Sequence, residues 1–184
     1  VRAVVGRTLA ARGKRLRPAL LLSAARIFGP PDEIHVRIAA VLELVHQASL
    51  VHDVVLDGGL TRHGEPALNV RSGNVLAVLV GDYLLAQAFC RLAQAGSATA
   101  LDRLTEVARR TCEGELLQTL ARGDLTIDEA FYLRVIEGKT AALFSVACEL
   151  GGALSGADGA ACEALATYGR AFGMAFQIAD DCLD

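Results

Sequence analysis

The chain has 184 residues, of which 53% are hydrophobic, 5% are aromatic and none is Trp. This length suffices for one domain with a substantial core, and a composition dominated by Ala, Leu and Val suits packed helices better than a β-sheet. The formal net charge of −3 argues against a general nucleic-acid-binding protein, so any basic site must be local.

Cysteine usage and hydropathy indicate the setting of the protein. The five cysteines include no Cys-x-x-Cys pair and their number is odd, which argues against a disulfide framework or a thiolate zinc site and favours the reducing cytoplasm. No basic segment leads into an apolar signal segment. Because charged residues such as Asp82 interrupt the longest apolar stretches, we expect no membrane span.

Helical periodicity runs through almost the whole sequence. The first clear helix is predicted to start at Pro18 and to reach Phe28, where Gly29-Pro30-Pro31 ends it. A long helix follows from about Asp32 to Leu56, and a polar loop from Gly58 to Asn69 comes after it.

Four further helices are predicted after this loop. Thr126 and Glu129 form a capping-box pattern that opens the third of them near Ile127, and Gly151-Gly152 is expected to end it. The helices are predicted over about 74–95, 99–121, 127–150 and from 159 into the acidic segment at 180–184.

The fold class predicted from these elements is all-α, in one domain over residues 1–184. The sequence stops inside a helix that ends on carboxylates, where the helix dipole disfavours negative charge. We therefore expect the chain to be truncated after Asp184.

Two acidic segments lie inside apolar helical sequence, DVVLD at 53–57 and DDCLD at 180–184. In each, two carboxylates stand four residues apart and so point the same way on a helix. Burying carboxylates among apolar residues is costly unless a cation offsets the cost. Either pair alone can equally be solvated acids at a helix end, but together they indicate the two halves of one oxygen-ligand site for a hard divalent metal.

Basic residues are concentrated in two short segments. Gly13–Pro18 (GKRLRP) combines a flexible Gly with three cations just before a helix, which makes an anion cradle. Arg62-His63-Gly64 follows the first acidic segment and suits a phosphorylated ligand shared with a metal. Each segment alone can be an ordinary basic loop.

Other polar side chains lie where helical spacing brings them toward these segments. His46 shares a helix face with Asp53, and Glu115 shares one with Gln118. Lys139-Thr140 is predicted mid-helix among apolar residues, where a Lys needs an anion or must extend to solvent. One turn before Asp180, Gln177 can reach the same ligand or make an internal hydrogen bond.

Taken together these segments resemble the trans-polyprenyl diphosphate synthases, a family of all-helical isoprenoid chain-elongating enzymes. Each segment is weak alone, but their order and spacing over essentially the whole chain are specific. The matching segments are GKRLRP (13–18), ELVHQASLVHDVVLD (43–57), TRHGEP (61–66), GDYLLA (81–86), GKT (138–140) and FQIADDCLD (176–184).

The resemblance implies an antiparallel helix bundle around a central cavity, with the two acidic segments facing each other across its mouth. About three Mg²⁺ ions would join them to the diphosphate of an allylic substrate. The resemblance carries metal binding to Asp53, Asp57, Asp180, Asp181 and Asp184, with Asp181 and Asp184 in supporting places.

The resemblance also implies two substrates, an allylic diphosphate and isopentenyl diphosphate. The first would be held by Arg62, Lys139, Thr140 and Gln177. The diphosphate of the second would be held by Lys14, Arg17 and His46, with His63 at the position of a further contact. Magnesium and the cations would stabilise the departing diphosphate, and an apolar cavity would protect the allylic cation from water.

Two positions depart from the family pattern, and the resemblance implies that the chain is also truncated at both ends, mainly after Asp184. Val54 stands where the family has a second Asp, although residue 54 is rotated about 100° from the face that carries Asp53 and Asp57. His63 replaces an Arg, and a His cannot form the Arg fork, so weaker binding of isopentenyl diphosphate is expected. These departures motivate an alternative, a weakly active or inactive regulatory subunit of a heteromeric prenyl diphosphate synthase.

Product length, assembly and competing classes complete the expectations. Ala48 and Ser49 are small and leave room beneath the first acidic segment. Since a bulky aromatic there stops chain growth in the family, the resemblance implies a product longer than geranylgeranyl diphosphate. A homodimer is expected, with a heterodimer as the alternative, and the lipid product allows peripheral membrane contact. A class I terpene cyclase is disfavoured by the second acidic segment and by Gly13–Pro18, and a plain helical scaffold by the ordered motifs.

Overall fold

A computed structural model describes residues 1–10, 13–62 and 64–183, without the side chains of Ala10 and Arg62. Its regular elements are almost entirely helical, and two short strands form an antiparallel ladder in which Thr61 pairs with Pro66. The elements are α1 (Arg2–Ala10), α2 (Leu16–Arg26), α3 (Glu33–Leu56), β1 (Thr61–Arg62), β2 (Glu65–Pro66), α4 (Leu68–Ser72), α5 (Asn74–Ala95), α6 (Ala98–Leu120), α7 (Glu129–Ile136), a π-helical segment (Glu137–Ala141), α8 (Ala142–Leu154) and α9 (Gly159–Asp181).

Two helices organise the bundle. Helix α3 packs against α5 and α2, and α2 in turn packs against α8. Helix α8 also contacts α9 and α6, so that α3 and α8 both belong to the main apolar core. A second apolar cluster joins the α3 residues Ala48 and Val51 to Ala77, Val80 and Leu84 of α5.

The start of α3 is fixed by a complete capping box. The Asp32 side chain accepts hydrogen bonds from the backbone of Ile34 and His35, and the His35 ring accepts from the Asp32 backbone. The other ring nitrogen of His35 lies 3.0 Å from the Ser155 hydroxyl at the end of α8. An N-cap contributes about 1 kcal/mol to stability. The capping box therefore stabilises the start of α3, and the contact between His35 and Ser155 joins that start to the end of α8.

Most helix boundaries agree with those predicted, but two expectations for the helix predicted over residues 127–150 are wrong. Asp128, rather than Thr126, caps α7 by accepting from the Phe131 backbone. Gly151 and Gly152 do not end α8, which continues to Leu154. A Cβ at Gly151 would lie 2.4 Å from the Leu21 carbonyl oxygen, so this glycine permits close packing of α8 on α2 instead of breaking the helix.

Between α7 and α8 the helix widens for five residues. The backbone N–H of Ala142 donates to the carbonyl of Glu137, which is the i to i+5 bond of a π-helix. Single π turns inside α-helices occur frequently at functional sites. Here the π segment contains Lys139 and Thr140, two of the predicted substrate-binding residues.

Two long apolar helices bear on the expectation of no membrane-spanning stretch. Among the described residues, helices Glu33–Leu56 and Asn74–Ala95 are both long and apolar enough to cross a bilayer by length and composition. Core helices pass the same test, and α3 and α5 pack on each other. The finding is therefore weak evidence for a membrane span.

All five cysteines are described, and all are free thiols. Cys148 is buried in α8, and burial raises the pKa of its thiol to about 11. A thiol protonated at neutral pH is a poor nucleophile and a poor metal ligand. Cys148 therefore packs as a small apolar residue.

Candidate active site

The first acidic segment occupies the last turn of α3 and its C-cap. Asp53 is half-buried, and Asp57 is the exposed C-cap residue of the helix. The four-residue spacing places both carboxylates on one face, and His46 lies on the same face two turns earlier. Val54 points to a different side, and its backbone carbonyl accepts a hydrogen bond from Asn69.

Lys139 is the cation that lies beside Asp53 on this face. Its ammonium Nζ lies 2.8 Å from the Glu115 carboxylate and 4.0 Å from Asp53 Oδ2, and it donates to Gln118 Oε1 at 3.1 Å. Burial on its own lowers the pKa of Lys139, but the hydrogen bond with Glu115 and the nearby carboxylates outweigh it, so the pKa lies above its ordinary value. The ammonium is therefore charged at neutral pH and adjoins the first acidic segment.

Close packing of α6 against the π segment positions this ammonium. A Cβ at Gly114 would lie 2.7 Å from the backbone nitrogen of Lys139 and 3.2 Å from the carbonyl carbon of Gly138. Only glycine allows α6 to approach the backbone that closely. Glu115 and Gln118, on the same stretch of α6, are then within reach of the Lys139 side chain.

Thr140, the next residue, links the π segment to the second acidic segment. Its hydroxyl donates to Gln177 Oε1 at 2.8 Å, and Gln177 Nε2 donates to Asp181 Oδ1 at 2.7 Å. The other carboxylate oxygen of Asp181 accepts from the Tyr132 hydroxyl of α7 at 2.6 Å. Asp180, beside it, is exposed. Of the two carboxylates, Asp180 is thus the one open to a ligand, and Asp181 serves as a hydrogen-bond acceptor.

The basic segment at 13–18 divides into three separate environments. Lys14 is exposed, and Arg15 forms an ion pair with Glu43. The Arg17 guanidinium stacks 4.2 Å from the centre of the buried Phe144 ring and donates to His46 Nε2 at 3.0 Å. Because Arg only donates, His46 accepts this bond in its neutral form.

The surroundings of Arg17 disfavour the charged form of its side chain. Burial lowers the pKa of its guanidinium to about 10, against the raising effect of nearby Glu43. Its Nε has no hydrogen-bond partner among the described residues. A buried cation with an unused donor favours binding of an anion.

Sequence reasoning missed two contacts at the site. Arg122, in the turn after α6, donates to Asp57 Oδ1 at 2.7 Å and to the Leu56 carbonyl at 3.1 Å. Tyr132 donates to Asp181, as described above. Neither stands in a motif, and Arg122 is 65 residues from its partner, so helical spacing could not find either contact.

Three predicted site residues are not characterised by the structure. His63 and Asp184 lie outside the described residues, and only the backbone of Arg62 is described, in β1. Their predicted contacts with substrate or metal remain predictions.

The donor chemistry at the site fits magnesium. Within the described ranges, no three His, Cys, Asp or Glu side chains converge closely enough to hold a metal ion alone. Asp53, Asp57 and Asp180 offer carboxylate oxygens, and Mg²⁺ is typically bound by one or two carboxylates together with water and substrate phosphates. Incomplete protein coordination of this kind suits metal that arrives with a diphosphate.

Comparison with known proteins agrees with this arrangement of residues. The family model described as polyprenyl synthetase matches residues 1–184. Octaprenyl diphosphate synthase of Escherichia coli (strain K12) is 41% identical over 172 residues, which cover 94% of this chain and 53% of that protein. Heptaprenyl diphosphate synthase component 2 of Geobacillus stearothermophilus is 40% identical over 177 residues, 96% of this chain and 55% of that protein.

Solved structures show the same fold. A decaprenyl diphosphate synthase from Rhodobacter capsulatus matches with a TM-score of 0.95 and 46% identity, over 99% of this chain and 56% of that one. A polyprenyl synthase from Caulobacter crescentus CB15, complexed with calcium and isoprenyl diphosphate, matches with a TM-score of 0.94 and 42% identity, over 98% of this chain and 55% of that one.

The chain spans about half the length of the curated relatives that it matches. The match nevertheless extends over the whole of this chain, from the basic segment through both acidic segments. The predicted all-α fold of the isoprenoid-synthase type is confirmed, and the chain belongs to the polyprenyl synthetase family.

Proposed function

We propose that the protein is a trans-prenyltransferase that condenses an allylic diphosphate with isopentenyl diphosphate to give a longer all-trans polyprenyl diphosphate. The observation that carries the proposal is the position of Lys139 and Thr140. These consecutive residues contact the two acidic segments separately, since Lys139 lies 4.0 Å from Asp53 and Thr140 reaches Asp181 through Gln177. A diphosphate between the acidic segments would therefore meet a cation and two hydrogen-bonding side chains.

Asp53, Asp57 and Asp180 would hold the magnesium ions, about three in the full complex, with Asp181 and Asp184 in support. When bound, the metal neutralises the charge that develops on the departing diphosphate. The Caulobacter crescentus relative, whose structure contains calcium and isoprenyl diphosphate, supports a divalent-cation site for an isoprenoid diphosphate.

Lys139 would bind the first substrate by exchanging its ion-pair partner. In the structure the Lys139 ammonium is neutralised by Glu115. An incoming diphosphate competes for that ammonium, and Arg62, Thr140 and Gln177 complete its binding. As the allylic carbon–oxygen bond breaks, Lys139 stabilises the extra negative charge on the leaving diphosphate.

The second substrate, isopentenyl diphosphate, would bind at the other end of the α3 face. Arg17 and His46 are already joined there, and Lys14 and His63 would add further contacts to the diphosphate. The double bond of isopentenyl diphosphate attacks the allylic cation and forms the new carbon–carbon bond. Loss of one proton, to the released diphosphate, then restores a double bond and completes a five-carbon extension.

A regulatory subunit is the second candidate function. Val54 removes one carboxylate from the first acidic segment, and one relative is named as component 2 of a heptaprenyl diphosphate synthase. In this alternative the chain retains the fold and binds a catalytically competent partner. The first candidate is favoured because Asp53, Asp57 and Lys139 are all present on one face of the site.

The proposed function extends to the assembly, the location and the product length of the protein. We place the protein in the cytoplasm as a homodimer, with a heterodimer in the subunit alternative. Ala48 is buried and Ser49 half-buried one turn before Asp53. Their small side chains support a product longer than geranylgeranyl diphosphate.

The test is product formation by the intact protein with Mg²⁺, isopentenyl diphosphate and farnesyl diphosphate, with chelator as a control. We expect a longer polyprenyl diphosphate from the protein alone, and at least about a 10²-fold loss in Lys139→Ala from the missing electrostatic stabilisation. Asp102→Asn, which alters an exposed acid of α6, is the matched control and should retain activity. Product formed only after addition of a homologous subunit would establish the alternative instead.

A further inference from the structure

The exposed ion pair between Arg122 and Asp57 has no counterpart among the predicted substrate contacts. The guanidinium donates from Nη2 to Asp57 Oδ1 at 2.7 Å and from Nη1 to the Leu56 carbonyl oxygen at 3.1 Å. It thus contacts both the carboxylate of a predicted metal ligand and the last turn of the helix that carries it. A cation at this end of α3 also suits the helix dipole.

The turn that carries Arg122 is locally well built. Gly123 adopts a positive φ of 85°, and the Asp124 backbone donates to the Ala121 carbonyl. The Asp124 side chain accepts from both the backbone and the hydroxyl of Thr126, at 2.8 and 2.7 Å. Arg122 therefore reaches Asp57 from a turn that is held by its own hydrogen bonds.

We propose that Arg122 is a positioning residue that occupies Asp57 until metal binds, and so sets the metal affinity of the first acidic segment. The inference rests on the proposed function, since it takes Asp57 as a metal ligand. Magnesium must displace a guanidinium already hydrogen-bonded to the oxygen it needs, and then bind beside that positive charge. Metal binding without diphosphate is therefore opposed by a residue of this chain.

The size of the effect follows from exposure. The side chains of Arg122 and Asp57 are 57% and 51% exposed, and exposed ion pairs contribute at most about 1 kcal/mol. Removing the guanidinium should accordingly tighten metal binding by about fivefold. An effect of that size would leave metal binding with a diphosphate possible, because the diphosphate supplies further negative charge.

The experiment measures Mn²⁺ affinity of the intact protein without substrate, by titration with electron paramagnetic resonance detection. We expect Arg122→Ala to bind Mn²⁺ about fivefold more tightly than the wild type. Arg91→Ala removes the same charge from an exposed position toward the far end of α5, and should bind within twofold of the wild type. Equal or weaker binding by Arg122→Ala would overturn the inference.

A double-mutant cycle with Asp57→Asn separates this inference from the proposed function. Asp57→Asn should weaken Mn²⁺ binding, and in that background Arg122→Ala should have no further effect. If Asp57→Asn leaves binding unchanged, the metal site itself is misplaced and the proposed function fails there. If Asp57→Asn weakens binding but Arg122→Ala does not tighten it, only the role of Arg122 is refuted.

Discussion

Gly114→Ala perturbs the contact that positions Lys139. The new Cβ would lie 2.7 Å from the Lys139 backbone nitrogen, whereas ordinary van der Waals contact begins at 3.4 Å. The nearest atoms all belong to the backbone of residues 138 and 139, so no side chain can rotate away. The π segment must move by several tenths of an ångström, and Lys139 and Thr140 must move with it.

Two opposing effects decide the stability of this variant. Replacing a helical Gly by Ala stabilises a protein by about 0.4–1 kcal/mol, whereas overpacking costs about 1–3 kcal/mol. Overpacking should win, and the melting temperature should fall by a few degrees, since about 1 kcal/mol corresponds to roughly 2–4 °C at this chain length. A misplacement of catalytic groups approaching 1 Å costs up to about 10²-fold in rate, so kcat should fall more than stability suggests.

The assay compares kcat and melting temperature of the intact wild type with those of Gly114→Ala and Gly6→Ala. Gly6 is also helical, but a Cβ there meets nothing within 4 Å. Gly6→Ala should therefore keep full activity and equal or higher stability. If both variants behave alike in both measurements, close packing of α6 on the π segment does not position Lys139, and the reasoning is refuted.

Three further predictions concern other parts of the site. Arg17→Met should raise the melting temperature, because it removes a buried charge whose pKa burial lowers to about 10. In the same variant the KM for isopentenyl diphosphate should rise, and an unchanged KM would contradict the role assigned to Arg17. The hydrogen bond to Asp181 raises the pKa of Tyr132 from 10.0 to about 12. The contribution of this bond to the stability of the folded protein is therefore complete below pH 10 and is lost as the pH rises through about 12. An absorbance titration should show this late phenol in the wild type and not in Tyr132→Phe. Ala48→Phe should shorten the polyprenyl product, and an unchanged chain length on chromatography would reject the proposed cavity.

Periodicity predicted the helices and the shared face of α3 well, because both depend on local spacing. The bounds of α5 agree with the structure at both ends, and His46, Asp53 and Asp57 follow from steps of seven and four residues. The need of Lys139 for an anionic neighbour also follows from its apolar surroundings, and the structure provides Glu115.

Other features depend on contacts distant in sequence, so local patterns could not predict them. The role of Gly151 is set by the Leu21 carbonyl of α2, and the pattern alone reads as a helix end. The ion pair of Arg122 joins the turn after α6 to the end of α3. The π segment has no propensity signal, and it packs on α6 and α9, whose positions local spacing does not give.

The π segment also sets the rotational phase of everything that follows it. A π turn adds one residue to a helical turn, and one residue corresponds to about 100° of rotation in an α-helix. Deleting a single residue between Glu137 and Ala141 would restore a continuous α-helix but turn α8 by that angle relative to α7. Tyr132 and Phe144 would then no longer face their present partners together, so the length of this segment matters to the site as well as its residues.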